Sequence, residues 1–322
     1  MLSIKSYNRK KDSAILVIFT VACIGLATIS HPNHIDALNN SMNNNTGNSN
    51  RTIFAATTIA ADNLITNILA KNLEDHLKQA GALLEITSKL PQVRNVSYAH
   101  LLNQTLKTLH GIPENSDVDK REIAHDILSN DKDFGVIFFL KANGDVYMVE
   151  PYKRQLNLTT NNFSFRDYYK GAVNTGNTYL GNVIISASIG LPQVNIATPV
   201  FSEDNRPASN KTLTGILAGG LNLTVFNESL QALNLKDGLR IVYVDQFGRK
   251  IADSDKSSSS LLNKNSNEPF ANLQSFRNAV DGRKSGSTIE TINDNKMLIF
   301  YEPVKFRSTT WAVLLMQPIP PQ

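Results

Sequence analysis

The sequence predicts an α+β protein: two tandem modules built on antiparallel sheets, preceded by a long N-terminal helix and a membrane anchor. Three observations carry this. An uncharged apolar run occupies Ala14 to Ser30, leucines recur every four residues beyond it, and a strand–turn–strand pattern appears twice, about 100 residues apart.

The N-terminal end comes first. With 41% hydrophobic residues in 322, the chain can bury more than one core. Its net charge is +4, and residues 1–13 account for most of it, with Lys5, Arg9, Lys10 and Lys11 against Asp12. The remainder carries no basic cluster, which argues against a nucleic-acid partner. The basic end reads instead as a topology signal, a cytoplasmic tail of residues 1–13 followed by a transmembrane anchor or signal segment at 14–30. A bilayer span needs roughly 20 apolar residues and a signal-peptide core about 7–15, so this run lies near the boundary. Three fates are open: a retained anchor, a cleaved signal, or lipid attachment at Cys23. Cys23 is the sole cysteine, so the fold must stand without an intramolecular disulfide. Asn-x-Ser/Thr sequons at Asn39, Asn44, Asn50, Asn95, Asn103, Asn157, Asn162, Asn210, Asn222 and Asn227 are compatible with a glycosylated exterior. The expected location is the cell membrane, single-pass, with the N-terminus cytoplasmic and the sensor domain extracellular.

Residues 31–52 are Asn-rich and short of apolar side chains, so they read as a flexible stalk. His31 and His34 lie there without further ligands and suggest no metal site. Across 53–92, Ile65, Leu69, Leu73 and Leu77, continued by Ile68, Ala80 and Leu84, form the stripe of an amphipathic helix from about Thr57 to Lys89, ended at Leu90-Pro91. A second helical stretch is expected from Tyr98 to Leu109.

The repeat organises the rest. Gly135 to Leu140, a turn at Asn143-Gly144, and Val146 to Val149 are echoed by Gly238 to Val244, a turn ending at Gly248, and Lys250 to Ala252. Each set reads as a β-hairpin. Val194 to Val200 is echoed by Leu298 to Val304. Gly144 and Gly248 are 104 residues apart, as are Pro199 and Pro303. Each copy closes with one more apolar strand, Gly215 to Leu223 and Trp311 to Met316. Ser254 to Glu268 is a surface loop within the second copy. Hairpin, crossover and further antiparallel strands, with helices on one face, make the PAS-like layout. The modules are expected at 93–228 and 229–322; a single larger α+β domain is the alternative.

In this region the chain resembles the double-Cache family of extracellular sensors. The residues that carry the likeness are Phe163 to Tyr169 (FSFRDYY), Gly176 to Gly181 (GNTYLG), Gly190 to Val200 (GLPQVNIATPV), Gly215 to Leu221 (GILAGGL) and Asp245 to Ala252 (DQFGRKIA), in the family's order. The resemblance implies a membrane-distal module that binds a small molecule and a membrane-proximal module that relays. It also implies that Arg166, with Tyr168 and Tyr169, holds a ligand carboxylate. Family members that bind amino acids use a Tyr five residues earlier and an Asp on a later strand for the ammonium group. Here Asn161 and Gly220 stand at those places. Family members also continue into a second membrane helix and a cytoplasmic domain, whereas this chain stops at Gln322. Its output is therefore expected to run through the short N-terminal tail, the anchor or an unidentified signalling partner protein.

The chemistry of Arg166 can be read without the family. An Arg among aromatics presents its planar fork to a carboxylate while the rings exclude water; equally, it can pair with Asp167 or Glu150 and pin a loop. Tyr152, Tyr179, Ser186 and Asn195 are further candidates for the pocket wall. The second copy has no Arg-x-Tyr-Tyr pattern, Phe276-Arg277 being its nearest approximation. No nucleophile elbow, phosphate loop, His-Glu-x-x-His or acidic metal cluster is present, so neither catalysis nor a cofactor or metal is expected. The function expected is a membrane-anchored extracytoplasmic small-molecule sensor, with a carboxylate as the candidate ligand class, without its own output domain. The alternatives are a solute-binding protein for a transporter and a surface or adhesion protein with no small-molecule ligand.

Overall fold

Residues 47–202, 212–235, 238–255 and 270–319 are described by the structure, a computed structural model. The chain forms two compact units, 1–65 and 66–322. The expected tail at 1–13, the anchor at 14–30, Cys23 and most of the stalk lie outside the described residues, as do all but the first residues of the Ser254–Glu268 loop. Among the described residues no helix is long and apolar enough to cross a membrane.

Helix α1 runs Gly47–Thr87, so it begins inside the stretch expected as stalk. Once an amphipathic turn has nucleated, each added residue gains a backbone hydrogen bond, and a polar composition does not by itself stop the helix. Leu73, Leu77, Ala80 and Leu84 of the expected stripe are buried. The helix ends where Pro91 forbids its predecessor the helical region: Leu90 is extended, at φ −66° and ψ 136°. The helix expected over Tyr98–Leu109 is instead two short turns, Ser97–Leu101 and Leu102–Thr105. Side chains compete for the backbone there. Asn95 Oδ1 accepts the Ser97 N–H at 2.9 Å, and the Thr105 hydroxyl donates to Leu101 O at 3.0 Å.

Helix α2, Val118–Asn130, has no counterpart in the sequence reading. Its buried positions are Lys120, Arg121, Ala124 and Ile127, so half of its inward face is cationic and carries no apolar stripe.

The repeat reappears as matching topology. The first sheet contains β1 (Phe134–Lys141), β2 (Val146–Glu150), β3 (Tyr179–Leu180), β4 (Ile184–Ile185), β5 (Pro192–Phe201) and β6 (Leu213–Leu221), in the order β2-β1-β6-β5-β3 with β4 also on β5. The second contains β7 (Arg240–Val244), β8 (Lys250–Asp253), β9 (Gly286–Ile292), β10 (Asn295–Phe306) and β11 (Thr309–Pro318), in the order β8-β7-β11-β10-β9. All pairings are antiparallel, and both expected hairpins, β1–β2 and β7–β8, are present. Gly144 has φ +86°, and a Cβ there would come within 2.6 Å of Ser164, so turn and packing both require glycine.

Further short helices are α3 (Tyr152–Leu156), α4 (Asp167–Thr175), α5 (Leu223–Gln231) and α6 (Gln274–Val280), with single turns at Pro91–Arg94 and Phe270–Asn272. The first sheet is covered on both faces rather than one, because its strands are apolar on both sides. Phe138 meets Tyr168 of α4 edge-to-face at 5.9 Å, while the neighbouring Phe139, pointing the other way, lies 4.3 Å beneath the Lys120 ammonium of α2. The second core gathers Val242, Phe276, Ile299, Tyr301 and Leu314 around α6. Helix α5 crosses the boundary expected at 228/229 and packs against both β5 and β8.

Candidate ligand-binding site

The first module holds a small, partly open cavity between its sheet and α4. Its floor is apolar, made by Val136, Phe138, Val149, Leu158, Phe163 and Tyr168. Arg166, Ser186, Ser188, Gln193 and Asn195 supply polar groups, and Ile184 and Ala187 form part of the roof. The water-accessible space is about 30 Å³, enough for a couple of ordered waters and too little for a metabolite. Beyond the roof lies an open groove of about 820 Å³, lined on its two sides by Arg166 and Arg249.

Arg166 caps the start of α4 with an extended backbone. The loop that delivers it is tied to the β1–β2 turn by Asn162, whose Nδ2 donates to Asn143 O at 3.0 Å and Asp145 Oδ1 at 2.8 Å. The guanidinium lies 5.0 Å over the Phe165 ring, and one Nη donates to Ile185 O at 3.2 Å. Its Nε is buried and has no hydrogen-bond partner. Both acids that the sequence offers as structural partners are engaged elsewhere. Glu150 pairs with Arg121 at 2.5 Å, and Asp167 accepts the Asn182 N–H at 2.6 Å. Among the described residues Arg166 makes no ion pair.

A second guanidinium stands behind the polar wall. Arg154 donates to Gly135 O at 2.8 Å, Gln193 Oε1 at 3.1 Å and Ser188 Oγ at 3.2 Å, all neutral acceptors, and burial pushes its pKa down. Gln193 in turn donates to Asn195 Oδ1 at 2.6 Å. Among the described residues no acidic side chain lines the cavity. Neither arginine is neutralised by a carboxylate among the described residues, and Arg166, which lines the cavity, offers an anionic group a charge-assisted hydrogen bond. Burial raises the pKa of the Tyr168 hydroxyl, which therefore stays protonated through the neutral range.

Of the residues expected at the site, Arg166, Tyr168, Ser186 and Asn195 line the cavity; Tyr169, Tyr179 and Tyr152 do not. Successive helical residues point about 100° apart, so Tyr168 and Tyr169 join the same core while only Tyr168 reaches the cavity. Tyr169 donates to Ala142 O at 2.5 Å and fixes the hairpin turn. Tyr179 lies flat against Gly171 of α4, where a Cβ would come within 2.3 Å of its ring. Tyr152 sits 5.1 Å from the Arg121 guanidinium. The sequence reading missed Gln193, Ser188 and Arg154. Gln193 and Asn195 are two apart on a strand and share a face, a signal that was available; nothing local marks Arg154. At Gly220, a Cβ would meet Gln193 Nε2 at 2.5 Å, so the glutamine amide fills the space that a side chain from this position would need. Asn161 is turned away and bonds His110.

Paired sheets of identical strand order, with a polar-lined cavity under the first, define a two-module PAS-like protein. A family model described as Cache domain matches residues 41–320, and the chain belongs to that family in its double form. Three solved structures share the fold. The ligand-binding domain of the Pseudomonas fluorescens chemoreceptor CtaA in complex with L-isoleucine is 17% identical, with a TM-score of 0.53, over 84% of this chain and 95% of that one. The periplasmic sensory domain of the Campylobacter jejuni chemoreceptor Tlp1 is 16% identical, with a TM-score of 0.57, over 82% and 96%. The ligand-binding domain of the Pseudomonas aeruginosa PAO1 amino acid chemoreceptor PctC in complex with GABA is 18% identical, with a TM-score of 0.51, over 80% and 99%. No curated protein matches the chain by sequence.

Proposed function

We propose that this protein is a membrane-anchored extracytoplasmic sensor whose first module, residues 93–228, binds a small organic carboxylate at Arg166, while residues 229–322 relay the event. The observation that carries this reading is the buried Arg166 Nε with no acceptor, at the wall of a cavity without acidic side chains. A buried unsatisfied donor costs about 1–3 kcal/mol, which a carboxylate acceptor would recover. L-isoleucine and GABA, the molecules bound in two of the structures that share this fold, both carry a carboxylate. With Gly220 and Asn161 where amino-acid binders hold the ammonium group, the reading favours acids that lack an α-amino group.

A ligand needs more room than the small, partly open cavity offers, so the roof at Ile184 to Gly190 must move outward toward the groove. Its β4 pairs through Ile184↔Gln193 and Ile185↔Pro192, and the rest of the roof is tied by single hydrogen bonds, among them Thr159 N–H to Ala187 O at 3.1 Å and Ser186 N–H to Leu191 O at 2.9 Å. Residues 14–30 serve as the anchor in this reading, supported by the basic flank and the uncharged apolar run. The test is a thermal-shift panel of short organic acids, their neutral amides, and the matching α-amino acids. Stabilisation by acids, and not by their amides, is the expected outcome. Equal response to acids and amides, or none to any acid, overturns the carboxylate reading.

A further inference from the structure

The roof of the cavity is held from two sides. It joins β3 through Gly181, Asn182 and Val183. From the first module, Asp167 Oδ2 accepts the Asn182 N–H at 2.6 Å, and Arg166 donates to Ile185 O. From the second module, the turn between β7 and β8 reaches across. Asp245 Oδ2 accepts the Val183 N–H at 3.1 Å, and Arg249 Nη1 donates to Val183 O at 2.7 Å. Gln246 Nε2 donates to Asn182 Oδ1, and Gln246 is itself fixed by Trp311 Nε1 at 3.0 Å.

We infer that Asp245 and Arg249 of the second module are positioning residues for the first module's ligand site, holding the connector from which the roof closes. Both polar groups of the Val183 backbone are bonded to the other module, and Val183 immediately precedes the roof. With two soft dihedrals per residue, so short a link transmits a fixed position directly. A hairpin turn alone does not account for Asp245. Its Oδ1 already serves the turn, accepting the Phe247 and Arg249 N–H groups at 2.9 and 2.8 Å. Its Oδ2 is directed across the module boundary, from a residue with no exposed surface. A buried carboxylate oxygen with a single backbone donor makes an expensive bond to break. The roof therefore opens either by bending beyond Val183 or by releasing the turn. Occupancy of the first module and the conformation of the β7–β8 turn are then linked, and linkage of this kind acts in both directions.

The inference rests on the cavity being the ligand site, but its test adds no ligand. Hydrogen exchange is followed in the full-length, unliganded protein and in its Asp245→Ala and Arg249→Gln variants. Arg249 is exposed, so its variant keeps the fold even where loss of Asp245 does not. The amides of Val183, Ser186 and Gly190 should exchange at least about tenfold faster in the Arg249 variant, the effect of one charge-assisted hydrogen bond. Strands β5 to β8 should be unchanged. Unaltered roof exchange in Arg249→Gln, or loosening of β7 and β8 as large as that of the roof in either variant, overturns the inference. Either result leaves the carboxylate reading standing, because the panel of acids tests that separately.

Discussion

Lys120 gives the protein a pH dependence that can be worked from the structure. Its side chain is 2% exposed, its ammonium lies 3.3 Å from Asp117 Oδ2, and it stands over the rings of Phe139 and Tyr147 at 4.3 and 4.4 Å. Burial pushes its pKa from 10.5 down to about 8, with Asp117 opposing. Between those values the unfolded chain holds a proton that the folded protein has released. Unfolding then takes up a proton, so stability must rise with pH across the window. Below it both states are charged, and burial of the ammonium is a constant destabilisation. At 1.36 kcal/mol per unit, the interval from about 8 to 10.5 corresponds to about 3 kcal/mol. Tyr147 acts in the opposite sense: burial, then Asp117, raise its pKa, so above pH 10 unfolded tyrosine ionises first and stability falls. Wild-type stability should therefore climb from pH 8 toward 10 and turn over above it. The assay is urea unfolding followed by far-ultraviolet circular dichroism across this range, for wild type and Lys120→Met. The difference between the two should shrink by a large part of the 3 kcal/mol as pH approaches 10. A difference that stays constant with pH refutes the reasoning.

Three further predictions follow from particular contacts. Arg121→Met leaves Glu150 without its ion-pair partner and the carbonyls of Ile112, Pro113 and Ser116 without a donor, and should destabilise by about 3–5 kcal/mol in denaturant titration, whereas adding Glu150→Leu should recover only the part due to the stranded carboxylate. Gly220→Asp alone should be destabilising by about 1–3 kcal/mol because its Cβ meets both Gln193 and Val136. Combined with Gln193→Ala and Val136→Ala, which clear both contacts, it should fold and shift the thermal-shift response from simple acids toward α-amino acids. Protease added to intact cells should remove the folded part of Arg51 to Gln322, and protection until lysis would contradict the orientation expected from Lys5, Arg9, Lys10 and Lys11.

Much of the fold is legible because its signals are local. A glycine turn at Gly144 or Gly248 between apolar runs specifies a hairpin, and the common spacing of 104 residues reveals the duplication without reference to contacts. What was hidden depends on tertiary compensation. Helix α2 buries Lys120 and Arg121, and their charges are acceptable only because Asp117, Asn95 O, Glu150 and the carbonyls of Ile112, Pro113 and Ser116 converge from elsewhere. The Tyr98–Leu109 stretch has helical spacing, yet only Leu102 of its apolar face is buried, so nothing drives the helix. At the site, the Arg166 motif could be read in one dimension, but which tyrosine faces the cavity is decided by the α4 axis. Arg154 enters through the Gly135, Ser188 and Gln193 contacts alone.

The central claim is that a carboxylate is held in the first module by Arg166. Its most direct measurement is isothermal titration of the tightest-binding acid from the panel into wild type and Arg166→Ala, with unfolding of both variants followed alongside. Loss of the charged hydrogen-bonding partner should weaken binding by about 2–5 kcal/mol, at least about 30-fold, while unfolding remains cooperative. Undiminished affinity in the variant would place the ligand elsewhere and contradict the account.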